Sequence, residues 1–272
     1  MDTQRGPLIG RGRMAEVYAW GDDRVLKLFE AWVDPGEVAL EAERGRLIHT
    51  TGLPVPAVYD QVECAGRLGI VYERVDGPSM LDALSRRPWQ THRLAHQMAA
   101  LHTGLHTDLH GKQVSNLPAI HDWLRHAILD APPLPEDVRE HALAALDRLP
   151  EGDALCHGDF HPGQILLAAR GPVIIDWLTA HRGDPHADVA RTVILLRFAS
   201  TGSTGLNPVM RGLVNLVRAW FLRAYLAEYH RLRPETSQEA IEAWMIPVAA
   251  ARFNEGITTE QEAMLRFLRQ QM

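Results

Sequence analysis

Cys156 to Trp177 reads CHGDFHPGQILLAARGPVIIDW, and this stretch decides how the rest of the chain is read. Its first half places His157, Asp159, His161 and Gln164 in one short loop. Its second half holds two apolar runs, Ile165 to Leu167 and Val173 to Ile175, joined by a turn expected at Gly171 and Pro172, the pattern of a β-hairpin. A hairpin returns its far end to its start, so Asp176 is expected back towards the loop that carries Asp159 and Gln164. Two carboxylates and an amide oxygen then converge, and oxygen ligands of that kind suit Mg²⁺. The same letters allow a different chemistry, in which His157, Asp159 and His161 are the zinc ligands of a metal-dependent hydrolase. That reading needs further ligands at fixed spacings, but the chain's 14 histidines are scattered and no HExxH occurs.

The ordered set HGDxHPxQ followed by IDW resembles the signature of the aminoglycoside phosphotransferase and choline kinase-like family. The resemblance implies an α+β, protein-kinase-like fold of two lobes. Residues 1–75 would form a small β-rich nucleotide-binding lobe, and 76–272 a larger, mainly helical lobe for catalysis and acceptor binding. It implies Asp159 as the catalytic aspartate, with Gln164 and Asp176 as first and second metal ligands. The family usually has asparagine where this chain has Gln164, so the amide oxygen is kept but reaches one methylene further. The implied activity moves the γ-phosphoryl group of ATP, or GTP, to a hydroxyl of a small molecule with Mg²⁺ as cofactor. A nucleotide-binding module with weak or no catalysis is the alternative from a different class, motivated by Gln164.

Composition is compatible with this. The chain has 272 residues, 46% hydrophobic and 23% charged, enough for one large domain or two lobes with separate cores. A net charge of −6 argues against nucleic-acid or anionic-membrane partners, which call for a concentrated basic face. Cys64 and Cys156 make no disulfide framework, and no apolar run of about 18 residues appears, so a reducing cytoplasm is expected.

Upstream, residues 7–30 read as strand, glycine turn, strand, tight turn at Gly21 to Asp23, and strand. Gly10 and Gly12 let backbone approach a ligand, and GRGRMAEV resembles a kinase glycine-rich loop. Lys27 lies among apolar residues with Val25 and Phe29 on its face, and either holds ATP phosphates or snorkels at a strand edge. Glu37 and Glu41 share a face of the helix predicted over Glu37 to His49. Glu41 falls where the family's lysine-pairing glutamate lies. Strands are expected at Val55 to Tyr59 and Leu68 to Val75, divided by a polar turn at Glu63 to Arg67. By resemblance, backbone groups of Glu73 to Val75 would bind adenine.

Beyond Asp76 the chain turns helical. Leu94, Met98, Leu101 and Leu105 mark one buried face of a helix over Thr91 to His106, in which His102 is read as structural. Asp184 before Pro185 has the N-cap then proline arrangement, and both Asp184 and Asp188 are read as structural. Later helices start near Asn207, Ser237 and Thr258, the last with Thr258 and Gln261 at capping-box spacing. Trp220 and Trp244 are expected in the core. Residues 206–272 hold eight Arg and no Lys against seven acidic residues, a balance that does not single out polycationic acceptors.

Overall fold

The structure is a computed structural model that describes residues 5–107, 114–198 and 207–272. The Gly21–Asp23 turn folds as expected, whereas the glycine turn begins only at Gly12 and leaves Gly10 within a strand, giving antiparallel strands β1 (Arg5–Arg11), β2 (Ala15–Trp20) and β3 (Arg24–Phe29). With β4 (Val58–Cys64) and β5 (Arg67–Glu73) they make one sheet in the order β1-β2-β3-β5-β4. The period of two decides which side chains meet. Leu26 and Leu28 of β3 face a cluster with Cys64 and Val71, while Phe29 faces the opposite cluster with Val38, Ala42 and Ile70. Lys27 therefore shares the Phe29 side, beneath helix α1 (Pro35–His49).

Helix α1 begins where Asp34 caps it by accepting from the Gly36 N–H at 2.7 Å, with Pro35 at N1. It buries Val38, Glu41, Ala42, Gly45 and Ile48 along one stripe, whereas Glu37 is exposed. The strand expected at Val55 to Tyr59 lies elsewhere: β4 starts at Val58 and continues through polar residues to Cys64. It is an edge strand with mostly exposed side chains, so it needs no apolar alternation, and Pro54 and Pro56 keep the preceding residues out of the ladder. The turn narrows to Ala65 and Gly66, both at positive φ (51° and 72°), as a two-residue hairpin requires.

The decisive hairpin forms as β7 (Ile165–Ala168) and β8 (Gly171–Ile174), but its turn is Ala169–Arg170, and Gly171 and Pro172 lie within β8. A two-residue turn makes Ala168 and Gly171 the hydrogen-bonded closing pair, so alternation puts Pro172 at a position that donates nothing to the ladder. Opposite Pro172, the Leu167 N–H turns the other way and donates to the Pro78 carbonyl at 2.9 Å. Gly77, at φ 155°, sits so close to the Leu167 carbonyl that any Cβ would collide with it.

The chain divides into two compact units, one comprising residues up to Asp82 together with Gly163–Thr179, the other Ala83–Pro162 with Ala180–Met272. The second is mainly helical: α3 (Thr91–Leu105), α4 (Ile120–Leu129), α5 (Glu136–Leu146), α6 (Pro185–Phe198), α7 (Pro208–Leu232), α8 (Gln238–Ala251) and α9 (Thr258–Arg269). Helix α2 (Met80–Arg86) runs across the division, and β6 (Ala154–Cys156) pairs with β9 (His181–Gly183). The architecture is α+β. α3 packs along α7, and α8 against α4, α5 and α6. Trp244 is buried, but Trp220 is 49% exposed, contrary to expectation, because α7 begins to bury side chains only at Phe221. Asn207 and Ser237 cap their helices as foreseen, whereas the capping box at Thr258 does not form: Ile257 takes the cap position and Thr258 is already helical. Among the described residues no helix is long and apolar enough to cross a membrane.

Candidate functional site

In the first unit, Glu41 is an ionisable residue in the buried stripe of α1, and it is there because Lys27 meets it. Lys27 Nζ donates to Glu41 Oε1 at 2.6 Å and to Asp176 Oδ1 at 3.0 Å. Tyr72 on β5 donates its hydroxyl to the same Glu41 oxygen at 2.8 Å. Burial alone would push the lysine down, but Asp176 and Glu41 hold it above its usual range. Glu41 is raised by burial, which Lys27 only partly offsets. Glu41 Oε2 is buried with no partner, so this pair is held at some cost.

Asp176 follows β8 and has φ 67°, a left-handed conformation uncommon for a non-glycine residue and one that aspartate tolerates better than most. It stays in place because the hairpin is fixed on both sides. The Ile174 N–H donates to Pro54 O at 2.8 Å and the Ile175 N–H to Gln164 O at 3.0 Å. Gln164, ending the short turn Pro162–Gln164, donates Nε2 to Asp176 Oδ2 at 3.3 Å. The carboxylate of Asp176 and the amide oxygen of Gln164 are hard donors of the kind that suits Mg²⁺, but here Gln164 turns Nε2, not its oxygen, to the carboxylate.

Gly10 pairs opposite Val17, and the Gly12 N–H closes the following turn on Ala15 O at 2.8 Å. A Cβ at Gly10 would meet nothing within 4 Å, leaving room beside that backbone. Glu73 ends β5, where its carboxylate pairs with Arg170 at the hairpin tip and accepts from the Ala57 N–H at 3.2 Å. The Arg170 hydrogen bond holds Glu73 below the usual carboxylate range. The Glu73 and Arg74 N–H groups donate to Ala57 O and Asp23 O, at 2.9 and 3.0 Å. Val75, just beyond the strand, is the next residue along this backbone.

Asp159 lies in the second unit, in a loop gripped by one face of α6. Asp188, Arg191 and Thr192, at helical spacing i, i+3 and i+4, reach its backbone together. Asp188 accepts from the His157 and Gly158 N–H groups at 2.7 and 2.8 Å, Arg191 Nε donates to Gly158 O at 3.1 Å, and Thr192 Oγ1 donates to Phe160 O at 2.8 Å. Gly158 takes φ 76°, the left-handed turn that presents Asp159. Asp159 itself lies 3.5 Å from His161 Nε2 and 3.6 Å from Arg191 Nη2. Arg191 and Thr192 were not singled out from the sequence. Their signal was the polar trio spaced through the otherwise apolar DVARTVILL.

Asp188 also gathers two histidines. His102 and His106 direct Nε2 to its Oδ2 at 3.0 and 3.2 Å, while their Nδ1 atoms meet the hydroxyls of Tyr225 and Tyr229 at 2.6 and 2.7 Å. Among the described residues, this trio is the group whose donor atoms cluster closely enough for a metal; His157, Asp159 and His161 form no such group. The zinc-hydrolase expectation thus lacks its ligand set. The hydrogen bonds account for the buried trio as a structural knot that carries the Asp159 loop.

The knot should make stability acid-sensitive. Burial pushes His106 down to about 4, whereas an unfolded histidine titrates near 6.5. The unfolded chain therefore binds the extra proton first, so His106's contribution is complete above about pH 6.5 and is lost as pH falls towards 4. Burial would raise Asp188, but the two imidazoles hold it well below its usual value, so its contribution is lost only at still lower pH. Urea unfolding should show a loss on the order of 3 kcal/mol between pH 7 and 4 attributable to His106. In His106→Gln the pH slope should flatten; equal slopes in both proteins would contradict the assignment.

Residues 7–235 match the family model described as the phosphotransferase enzyme family. No curated protein matches the chain by sequence. Among solved structures, an aminoglycoside-3′-phosphotransferase of type VIII is similar with TM-score 0.60 and 22% identity, covering 90% of this chain and 91% of that one. A thermostable mutant of an aminoglycoside phosphotransferase in complex with ADP and hygromycin B gives TM-score 0.64 at 15% identity, over 98% and 92%. The macrolide 2′-phosphotransferase of Brachybacterium faecium gives 0.53 at 19%, over 95% and 90%. At these identities the likeness shows a shared kinase-like fold. With most of its length inside the family match, the chain belongs to the phosphotransferase enzyme family.

Proposed function

We propose that the protein transfers the γ-phosphoryl group of ATP to a hydroxyl group of a small molecule. The observation that carries this reading is Lys27, a half-buried lysine on a strand held between Glu41 of α1 and Asp176 after β8. A cation fixed this way is pre-oriented to meet the α- and β-phosphates, without the entropy cost of ordering a free lysine. Residues 1–75 would bind the nucleotide, with Gly10 and Gly12 bringing backbone to the phosphates and the Glu73 to Val75 backbone meeting adenine. Residues 76–272 would carry catalysis and the acceptor, with Asp159 accepting or orienting the hydroxyl proton. Gln164 and Asp176 would hold Mg²⁺, which supplies neutralising charge to the phosphates when bound. GTP in place of ATP is compatible with the same residues, and the two buried thiols, Cys64 and Cys156, fit a reducing cytoplasm. ATP consumption measured against aminoglycosides, macrolides, nucleoside-like antibiotics, choline and sugars tests the reading. Turnover with none of them, with tight nucleotide binding, would favour the nucleotide-binding module.

Gln164 gives that second reading its specific observation, because the longer amide reaches Asp176 through Nε2. If its oxygen ligates Mg²⁺, Gln164→Ala should raise the Mg²⁺ concentration for half-maximal activity several-fold, while Gln164→Asn keeps or improves activity. A Gln164→Ala titration that overlays the wild type removes Gln164 from the metal site.

A further inference from the structure

Arg191 is buried on α6, and its guanidinium is divided among three groups around the catalytic loop. Nε donates to the Gly158 carbonyl at 3.1 Å, Nη2 meets Glu255 Oε1 at 2.6 Å, and the same Nη2 lies 3.6 Å from Asp159 Oδ1. Nη1 is buried without a partner. A buried guanidinium with an unsatisfied nitrogen is destabilising, and an apolar residue of similar length would avoid that cost. Packing alone therefore does not explain an arginine here.

Glu255 supplies the rest of the argument. Its second oxygen accepts from Arg252 Nη1 at 2.8 Å, and Arg252 Nε donates to Glu260 Oε2 at 2.7 Å, with Arg252 and Glu260 both buried. The charges alternate from α9 through the turn Arg252–Glu255 to Arg191 and end at Asp159. Glu255 is the nearer carboxylate, so it holds the guanidinium by a short ion pair. Asp159 feels the positive charge at a distance beyond a normal hydrogen bond. A guanidinium in direct bidentate contact would occupy both carboxylate oxygens, whereas one held back at 3.6 Å can orient the carboxylate without doing so.

We propose that Arg191 is a positioning residue for Asp159, restrained by Glu255, so that the C-terminal segment from Arg252 to Glu260 tunes the catalytic loop. The inference rests on the phosphotransfer reading above. Its test compares ATP consumption by wild type, Arg191→Met, Glu255→Gln, the double variant and Asp159→Asn, using the most active acceptor of the panel or, failing one, water. Rates are normalised to nucleotide-binding-competent protein. Arg191→Met should lower kcat roughly 10- to 100-fold, as loss of an orienting partner does. The KM for ATP should stay within about threefold, since the lysine cluster and the glycine residues proposed to bind nucleotide belong to the first unit and Arg191 to the second. Glu255→Gln should lower kcat by a smaller factor, and the double variant should be no worse than Arg191→Met, because the two act through one contact chain. Unchanged kcat per competent molecule in Arg191→Met, with Asp159→Asn inactive, overturns the inference and leaves the phosphotransfer reading standing. Full activity in Asp159→Asn overturns that reading itself. If Arg191→Met does not fold, Glu255→Gln decides: reduced kcat at unchanged KM supports the restraint, and wild-type kcat refutes it.

Discussion

Asp159→Asn should lower turnover by roughly 10²- to 10⁴-fold, the range expected when general-base assistance is withdrawn. The substitution is nearly isosteric, and the loop around it is held by others. Asp188 takes the N–H groups of His157 and Gly158, and Thr192 takes the Phe160 carbonyl, so none of these bonds needs the Asp159 carboxylate. Thermal stability should therefore change little, and so should nucleotide affinity, because the lysine cluster belongs to the other unit. What the variant loses is a negative oxygen able to take the acceptor's proton. Turnover at the wild-type rate, in protein that still binds nucleotide, would remove Asp159 from the chemistry.

Much of this was legible in the sequence because the decisive features are local. The Gly21–Asp23 turn, the β3 lysine and the IDW end of the hairpin are each set by a few neighbouring residues, and each is found in place. Glu41 was legible through the resemblance, since it falls where the family's lysine-pairing glutamate lies, and Lys27 meets it there. The failures have separate physical causes. Val55 is buried without being in a strand, and β4 lies at the sheet edge with polar side chains, so hydrophobicity and strand position part company there. Gly171 and Pro172 suggest a turn, but proline also suits a ladder position that donates no hydrogen bond. Arg191 and Thr192 escaped notice because their partners are carbonyls of the Asp159 loop some 30 residues away in sequence, at separations of 33 and 32. The spaced polar trio marks a polar stripe on α6 but does not name the partners it reaches.

Asp176→Asn should lower turnover by about two to three orders of magnitude, as expected for several kcal/mol of lost charge stabilisation, and unlike Asp159→Asn it should also weaken nucleotide binding. Three of its consequences follow from geometry. Asparagine tolerates the φ of 67° nearly as well as aspartate, and its side-chain oxygen still accepts from Gln164 Nε2, so the hairpin should keep its shape. Lys27 loses one of its two counter-charges, so its affinity for protons should fall and it should lean on Glu41 alone. The remaining donor set for Mg²⁺ is neutral, which a hard divalent cation binds far less well than a carboxylate. The signature is thus in the Mg²⁺ dependence of nucleotide affinity, measured calorimetrically with the ion present and with EDTA. Wild type should bind ATP more tightly with Mg²⁺, whereas Asp176→Asn should bind about equally under both conditions. A variant whose affinity still rises with Mg²⁺ as the wild type's does would place the metal elsewhere, and Asp176 would then serve only as the partner of Lys27.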